Sequence, residues 1–391
     1  MKRYLILLFA VLLTGCTAAP SQFMPYEPSQ EAFTLLPVSS KRPDISQLEA
    51  DTDSRQQTVN LILSSMTTEE KVGQLFFARC PAQDGAQLAS TYHLGGYILF
   101  GRDFKEKTAQ QIRDDIASYQ QASSIPMLIG VDEEGGTVVR VSSNPELRAH
   151  RFPSPQQLYA AGGLDKIIED AGEKDALLQS LGINVNFAPV ADLSTNPEDF
   201  IYPRTLGLGA EETAAYVSAL VSKMEQDGMG SVLKHFPGYG PNEDTHTGSA
   251  LDLRPLEQFQ TEDFLPFQAG IQAAAGGSAA VLVSHNIMAA VDPDAPSSLS
   301  PAVHQLLREE LEFQGVILTD DLAMDAAANY AGQQSPAVLA LQAGNDMVVT
   351  TDFTLEIPQV LAALEEGLLT MEQIDRGVLR VLCWKYDLGL L

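Results

Sequence analysis

The chain has 391 residues, of which 45% are apolar, and it contains 29 glycines and 22 prolines. This is ordinary globular composition, which excludes collagen-like, low-complexity and wholly disordered proteins. The formal net charge is −27, from 24 basic and 51 acidic residues. Binding of nucleic acid or of anionic lipid requires a basic surface, so this charge argues against both classes of protein.

The first sixteen residues have the pattern of a secretory signal. Lys2 and Arg3 precede an apolar run over residues 4–13, which is too short for the roughly 20 residues that span a bilayer. Residues 13–16 end on Cys16 and resemble the lipobox of bacterial lipoproteins, in which the cysteine is lipidated and becomes the first mature residue. We therefore expect a signal peptide over residues 1–15 and a protein lipid-anchored to the cell membrane, outside the cytoplasm. An ordinary signal with an incidental cysteine is the alternative.

Residues 16–45 combine the expected lipidated cysteine with a flexible linker. Five prolines lie there among Ser, Gln and Thr, a composition typical of semi-flexible tethers. The body of the protein is expected over residues 46–391, with a helix that Thr67 caps and Glu70 completes as a capping box. Cys80 and Cys383 could pair, but a core of this size does not need a disulfide, and we expect free thiols.

Eight short apolar runs alternate with helical stretches along this body. They cover residues 75–77, 96–100, 127–131, 185–189, 231–234, 280–283, 316–319 and 347–349. This alternation predicts a parallel sheet with crossover helices. The number of predicted strands and the length of the body favour an α/β fold, a single (β/α)₈ TIM-type barrel, which uses roughly 250 residues or more. An open doubly wound sheet is the alternative.

Polar residues follow most of these strands, among them Asp132, Asp192, Lys234, His235, Ser284, His285, Asn286, Asp320 and Asp321. The carboxyl ends of barrel strands converge on one mouth, where barrel enzymes keep their active sites. This concentration of charge therefore predicts an enzyme.

The seventh strand ends in two consecutive carboxylates, Asp320 and Asp321. Since adjacent strand positions point to opposite sides, at most one of them is expected to face the barrel centre if the strand extends that far. An aspartate placed there could be a nucleophile, a metal ligand or a cap for the next helix.

A loop rich in Pro and Gly follows the fifth strand and contains Asp244 and His246. This spacing allows the carboxylate to fix the imidazole tautomer and support its charged form, as in a catalytic triad. A histidine titrates near neutral pH, which suits a group that first donates a proton and then accepts one. There are two alternatives. The residues could form a metal site together with His235, or an Asp–His hydrogen bond could simply stabilise the loop.

Four segments together resemble glycoside hydrolase family 3, most closely its bacterial β-N-acetylhexosaminidases: residues 66–75, 131–136, 234–238 and 319–324. Their order and spacing extend the resemblance over residues 50–391. It implies a retaining exo-β-N-acetylhexosaminidase that needs no cofactor or metal. The implied substrate is terminal β-linked N-acetylglucosamine of wall-derived or chitin-type oligosaccharides, as in peptidoglycan recycling.

The resemblance also implies roles for individual residues. Asp320 would be the nucleophile that forms a covalent glycosyl-enzyme, His246 the general acid/base and Asp244 its dyad partner. Five residues would bind the terminal sugar: Asp132, Arg140, Arg204, Lys234 and His235. A retaining glycosidase needs a nucleophile on one face of the sugar and a proton donor on the leaving-group side, which agrees with these roles. The chain departs from the family at Glu133, where Gln is commoner, and at Tyr239, where many relatives have His.

Many β-glucosidases and β-xylosidases of this family carry a second α/β domain that supplies the acid/base. This sequence ends as the barrel domain does, which favours the hexosaminidases. A β-glucosidase or a glycoside phosphorylase of the same family is the alternative, and a tethered sugar-binding lipoprotein is a third possibility. The expected partner is a carbohydrate substrate, with no nucleic acid and with membrane contact only through the lipid anchor.

Overall fold

Eight parallel strands close into a barrel in the computed structural model, which describes residues 45–242 and 250–391, with side chains from residue 54. Each strand pairs with the next in the chain, and the eighth closes on the first. In chain order the strands are β1 (Phe76–Arg79), β2 (Gly96–Leu99), β3 (Leu128–Val131), β4 (Val185–Asn186), β5 (Gly230–Phe236), β6 (Ala279–Val283), β7 (Ile317–Asp321) and β8 (Met347–Thr350). All eight overlap the predicted runs, so the predicted barrel is confirmed and the open sheet was the wrong alternative.

Helices precede the first strand, connect successive strands and follow the last one. They are α1 (Ile45–Ser65), α2 (Thr68–Gln74), α3 (Gly85–Tyr92), α4 (Gly101–Phe104), α5 (Ala109–Ala122), α6 (Pro155–Leu181), α7 (Ala210–Asp227), α8 (Leu256–Gln258), α9 (Phe264–Ala273), α10 (Pro301–Gln305), α11 (Asp325–Ala331), α12 (Pro336–Ala343), α13 (Phe353–Glu365) and α14 (Met371–Asp387). Beyond the barrel, Leu251–Asp252 pairs in parallel with Ile287–Met288 as a two-stranded sheet.

The start of α2 confirms the predicted capping box. The Thr67 hydroxyl accepts from the Glu70 backbone N–H at 3.2 Å, and the Glu70 carboxylate accepts from the Thr67 N–H at 2.8 Å. Two N–H groups that the first helical turn cannot satisfy are thereby paired.

The barrel interior is filled by apolar side chains that alternate with those facing the helices. Phe77 and Phe187 meet edge-to-face inside it, with ring centroids 5.2 Å apart. At the amino-terminal end of the strands, buried Trp384 of α14 packs in the same cluster and donates its indole N–H to the Ser278 carbonyl at 2.9 Å. Apolar side chains therefore fill the barrel at the amino-terminal ends of the strands.

Both described cysteines are free, as expected. Cys80 is buried and Cys383 is half-buried. Burial raises the pKa of the Cys80 thiol to about 12, so this thiol is not an activated nucleophile at neutral pH. Within the described ranges, no helix combines the length and the apolar character that crossing a membrane requires. The predicted signal peptide, Cys16 and most of the linker lie outside those ranges.

Candidate active site

A cavity of about 590 Å³ opens at the carboxyl ends of the barrel strands. Six of the eight residues predicted for catalysis and sugar binding line it: Asp132, Arg140, Arg204, Lys234, His235 and Asp320. The other two, Asp244 and His246, fall within residues 243–249, which lie outside the described part of the chain. Their pairing and their role as acid/base remain predictions.

Both aspartates at the end of β7, Asp320 and Asp321, line the cavity. The register of the strand shows how two consecutive residues can do so. Leu318 pairs with Met347 and Asp321 with Val349, so β7 has one residue more than β8 over this stretch. Such a β-bulge interrupts the alternation of side chains, and it allows Asp320 and Asp321 to reach the same space.

The end of β5 has a similar irregularity. Between Leu233 and Phe236 this strand has one residue more than its partner β6. The two residues between them, Lys234 and His235, both line the cavity. Bulges therefore occur on both strands that place two consecutive residues in the cavity.

Glu134 is an important site residue that the sequence reasoning did not single out. Its carboxylate is buried beneath the cavity, where it accepts from Lys234 Nζ at 2.6 Å and from Arg204 Nη2 and Nε at 2.8 and 3.0 Å. Burial opposes ionisation of Glu134, but the two cations outweigh this effect and hold its pKa well below its usual range. Glu134 therefore fixes the positions of both cations.

Asp132 lies between two cations at the cavity wall. Its Oδ1 is 2.7 Å from Lys234 Nζ, and its Oδ2 is 3.4 Å from Arg140 Nη2. A sugar hydroxyl both donates and accepts hydrogen bonds, and this group of residues offers a carboxylate acceptor flanked by charged donors. The arrangement is suited to binding vicinal hydroxyl groups.

Glu133 holds the turn that carries Arg140. Its fully buried carboxylate accepts from the backbone N–H groups of Arg140 at 2.8 Å, Val141 at 2.7 Å and Ser142 at 3.2 Å, and also from the Ser142 hydroxyl. Both oxygens are thus used as acceptors. At this position, where the family more often has Gln, the side chain shapes the site without lining the cavity.

His235 is oriented by Asp192, which lies six residues beyond the end of β4. The carboxylate accepts from His235 Nδ1 at 2.7 Å and from the backbone N–H groups of His235 and Tyr239 at 3.1 and 2.7 Å. His235 Nε2 lies 3.1 Å from Arg204 Nη2. Because a guanidinium can only donate, this contact assigns the proton of a neutral imidazole to Nδ1. The sequence analysis had identified Asp192 as one of the polar residues that follow the strands, but it did not indicate that Asp192 orients His235.

His285 supports the strand end that carries the candidate nucleophile. It is fully buried, with Nε2 3.0 Å from the Asp321 carbonyl oxygen and Nδ1 2.6 Å from the Ser298 hydroxyl. The carbonyl can only accept, so Nε2 donates to it. Asp320 itself is half-buried and accepts from the Asp321 backbone N–H at 2.8 Å.

Comparison with known proteins agrees with this arrangement. The glycosyl hydrolase family 3 N-terminal domain matches residues 67–383. A beta-hexosaminidase of Stenotrophomonas maltophilia (strain R551-3) is 36% identical over 265 residues, which cover 66% of this chain and 76% of that protein. Beta-hexosaminidase LpqI of Mycobacterium tuberculosis (strain ATCC 25618 / H37Rv) is 32% identical over 335 residues, which cover 82% of this chain and 83% of that one.

One similar solved structure is that of a glycoside hydrolase family 3 beta-N-acetylglucosaminidase from Paenibacillus sp. str. FPU-7. It has a TM-score of 0.77 and 32% sequence identity, and the match covers 83% of this chain. The match spans 63% of the Paenibacillus chain, slightly less than two thirds of its length. The agreement extends over nearly the whole barrel, and we conclude that the chain belongs to glycosyl hydrolase family 3.

Proposed function

We propose that this protein is a retaining exo-β-N-acetylhexosaminidase, which removes terminal β-linked N-acetylglucosamine from wall-derived or chitin-type oligosaccharides. The observation that carries the proposal is one cavity in which Asp320 accompanies a hydroxyl-binding set, Asp132, Arg140 and Lys234. The similarity to proteins named beta-hexosaminidase supports the choice of sugar.

In the proposed reaction, a carboxylate oxygen of Asp320 attacks the anomeric carbon, and the bond between that carbon and the leaving oxygen breaks. His246, supported by Asp244, gives its proton to the leaving oxygen. In the second step His246 accepts a proton from water, whose oxygen displaces Asp320 from the anomeric carbon. Two inversions leave the configuration retained. The roles of His246 and Asp244 rest on the sequence motif.

The test compares release of 4-nitrophenol from the β-N-acetylglucosaminide and from the β-glucoside. We expect fast release from the first only. Asp320→Asn and His246→Ala should each lower kcat by at least about 10³-fold, since each removes a reacting group. Asp325→Asn is the matched control, because Asp325 is an exposed aspartate just beyond the same strand.

Three results would contradict the proposal. Release from the glucoside alone would indicate a β-glucosidase. A sugar 1-phosphate product, with a rate that rises with phosphate concentration, would indicate a phosphorylase. Calorimetric binding of the sugar without turnover, in protein shown to be folded, would indicate a sugar-binding lipoprotein.

We also propose that the protein is exported and anchored through lipid on Cys16. The support is the sequence of residues 1–16. Metabolic labelling with a clickable fatty acid should label the wild-type protein and the Cys383→Ala control, and it should fail to label Cys16→Ala. Labelling of Cys16→Ala, or recovery of unlabelled wild-type protein with residues 1–16 intact, would contradict the anchor.

A further inference from the structure

A second cavity, of about 420 Å³, lies at the opposite end of the barrel from the candidate active site. It is bordered by α10, α12 and α14 and by residues that precede β7 and β8. Ile317 begins β7 and Asp321 ends it, so the two ends of this strand are about 13 Å apart. The apolar barrel interior separates the cavity from Asp320. Its volume falls in the range of small-molecule sites, about 300–1,000 Å³.

Three arginines line this cavity: Arg308, Arg376 and Arg380. The described lining residues also include two carboxylates, of which that of Asp346 is buried and that of Glu309 is exposed. Positive charges are therefore in excess here, whereas the chain as a whole has a net charge of −27. A local excess of positive charge in so acidic a protein indicates a site for an anion.

Asp346 is shared between two of these arginines. Its carboxylate accepts from Arg380 Nη1 at 2.9 Å, from Arg308 Nη2, and from the Ile317 backbone N–H at 2.9 Å. Burial lowers the pKa of Arg308, the attraction of Asp346 offsets part of this effect, and repulsion from Arg380 adds to the lowering. A further anion beside the two guanidiniums would relieve that repulsion.

Arg376 and Arg380 have N–H donors to offer to such an anion. They are four residues apart on α14, so they lie on the same face of the helix. The exposed Arg376 contacts exposed Glu372 one turn away at 3.5 Å, and a pair of this kind is weak. Arg380 reaches Asp346 through Nη1 alone, although a guanidinium carries five N–H donors. The planar fork of a guanidinium matches the oxygens of a phosphate group.

Two buried polar side chains, His304 and Asn345, also line the cavity. His304 Nδ1 lies 2.8 Å from the Ser300 carbonyl oxygen, which can only accept, so Nδ1 carries the proton of the neutral ring. Asn345 Nδ2 donates to the carbonyls of Ser298 and Ala340. His304 Nε2 and Asn345 Oδ1 are left as two buried acceptors without a hydrogen-bond partner.

A second proton on His304 would allow Nε2 to donate to Asn345. Burial, aided by the charge of Arg308, opposes this proton and lowers the pKa of His304, although Ser300, Asn345 and Asp346 favour it. An anion beside the arginines would shift the balance toward the protonated ring. His304 is therefore expected to take up a proton when an anion binds, and this signal would come from the second cavity.

We propose that this cavity binds a phosphate group, which Arg376 and Arg380 hold through charge-assisted hydrogen bonds. The phosphate group belongs either to inorganic phosphate or to a small organic phosphate ester, since both present the same oxygens to the guanidiniums. Four glutamines that line the cavity offer donors and acceptors to the rest of an ester: Gln305, Gln314, Gln342 and Gln373. The inference does not depend on the proposed function, because the cavity is separate from the candidate active site.

The experiment is calorimetric titration with two probes at an ionic strength of about 0.15 M. The probes are inorganic phosphate and glycerol 3-phosphate, which has no sugar ring for the active-site cavity. We expect one probe molecule to bind per chain and the ¹⁵N shifts of the His304 ring to move toward those of an imidazolium. Tighter binding of glycerol 3-phosphate would identify an ester as the ligand, and equal affinities would identify inorganic phosphate.

Arg376→Gln and Arg380→Gln should each weaken binding about tenfold, the effect of one charge-assisted contact. Arg380→Gln also loses a contact with Asp346, whereas Arg376→Gln changes an exposed position and should fold normally. Arg113→Gln is the matched control, because it removes an exposed arginine from another helix, α5. Arg140→Gln, in the active-site cavity, should also leave binding unchanged. Thermal unfolding checks that each variant is folded.

Any of three results would overturn the inference. The first is that neither probe binds to the wild-type protein. The second is that both Arg376→Gln and Arg380→Gln bind the probes as tightly as wild type. The third is that binding is lost in Arg140→Gln, which would place the probe in the active-site cavity. Glycosidase activity of the wild-type protein tests the proposed function separately.

Discussion

The guanidinium of Arg204 donates two N–H groups to a single buried carboxylate, that of Glu134, at 2.8 and 3.0 Å. Lys234 reaches the same carboxylate at 2.6 Å. This carboxylate therefore fixes two cations at the wall of the cavity, and it is as important for the geometry of the site as the residues that face the substrate.

Replacing Glu134 by Gln should be costly despite the similar shape. Two buried cations lose a shared counter-ion, so we expect the free energy of unfolding to fall by about 3–5 kcal/mol and kcat/KM to fall at least about tenfold. The native pKa of Glu134 lies below its unfolded value. The contribution of the Glu134 carboxylate to the free energy of unfolding is thus present above about pH 4.5, and it is lost as the pH falls toward the pKa of the native state.

Urea unfolding of wild type and Glu134→Gln at pH 7 and pH 3.5 checks this expectation. The difference in free energy of unfolding between wild type and Glu134→Gln should be smaller at pH 3.5 than at pH 7. Glu146→Gln, at an exposed position, is the control. Equal stability of wild type and Glu134→Gln at pH 7 would mean that the cations do not depend on this carboxylate.

Asp192→Asn should disturb His235 while leaving the barrel folded. The Asp192 carboxylate accepts on both oxygens, whereas an asparagine has one acceptor oxygen and an N–H₂ group that would face a donor. We expect kcat/KM to fall about 10–100-fold, as for an orienting residue next to a substrate-binding group. The ¹⁵N shifts of His235 should move away from those of the Nδ1–H tautomer, which a purely structural defect elsewhere would not cause. Unchanged shifts and rates would contradict the orienting role.

Two neighbouring carboxyl groups, that of buried Asp175 on α6 and that of half-buried Asp227 on α7, should make the free energy of unfolding depend on pH. Burial, together with the neighbouring Asp227, raises the pKa of Asp175 to about 7. The folded state then holds a proton that the unfolded state has lost between about pH 4 and 7, so stability falls as the pH rises through this range.

Asp175→Asn removes this titration. We expect the variant to be more stable than wild type at pH 8, by about 1–3 kcal/mol, and to lose that advantage near pH 4. Chemical unfolding across pH 4–8 measures the difference, with Asp165→Asn as an exposed control on the same helix. A stability difference that stays constant with pH would contradict the raised pKa.

The eight strands were predictable because barrel strands are buried on both faces and therefore read as continuous apolar runs. Polar residues such as Asp132 and Lys234 follow those runs directly, so the edge of the sheet that carries the site could be located as well. The family resemblance then selected six residues that the structure brings into one cavity.

The remaining features depend on long-range geometry that a pattern along the chain does not contain. The bulges at the ends of β5 and β7 are properties of the register between strands. Glu133 and Glu134 are adjacent and identical in type, yet one holds a backbone turn and the other holds two cations. Arg308, Arg376 and Arg380 belong to no motif, and the cavity that they share is apparent only in three dimensions.

The central claim is that Asp320 forms a covalent bond with the sugar. The most direct measurement treats the enzyme with a slowly hydrolysed 5-fluoro β-N-acetylglucosaminyl fluoride and locates the adduct by peptide mass spectrometry. We expect one glycosyl group per chain, attached to Asp320, with loss of labelling in Asp320→Asn. A sugar attached to Asp321 or Asp132, or unchanged labelling of Asp320→Asn, would contradict the account.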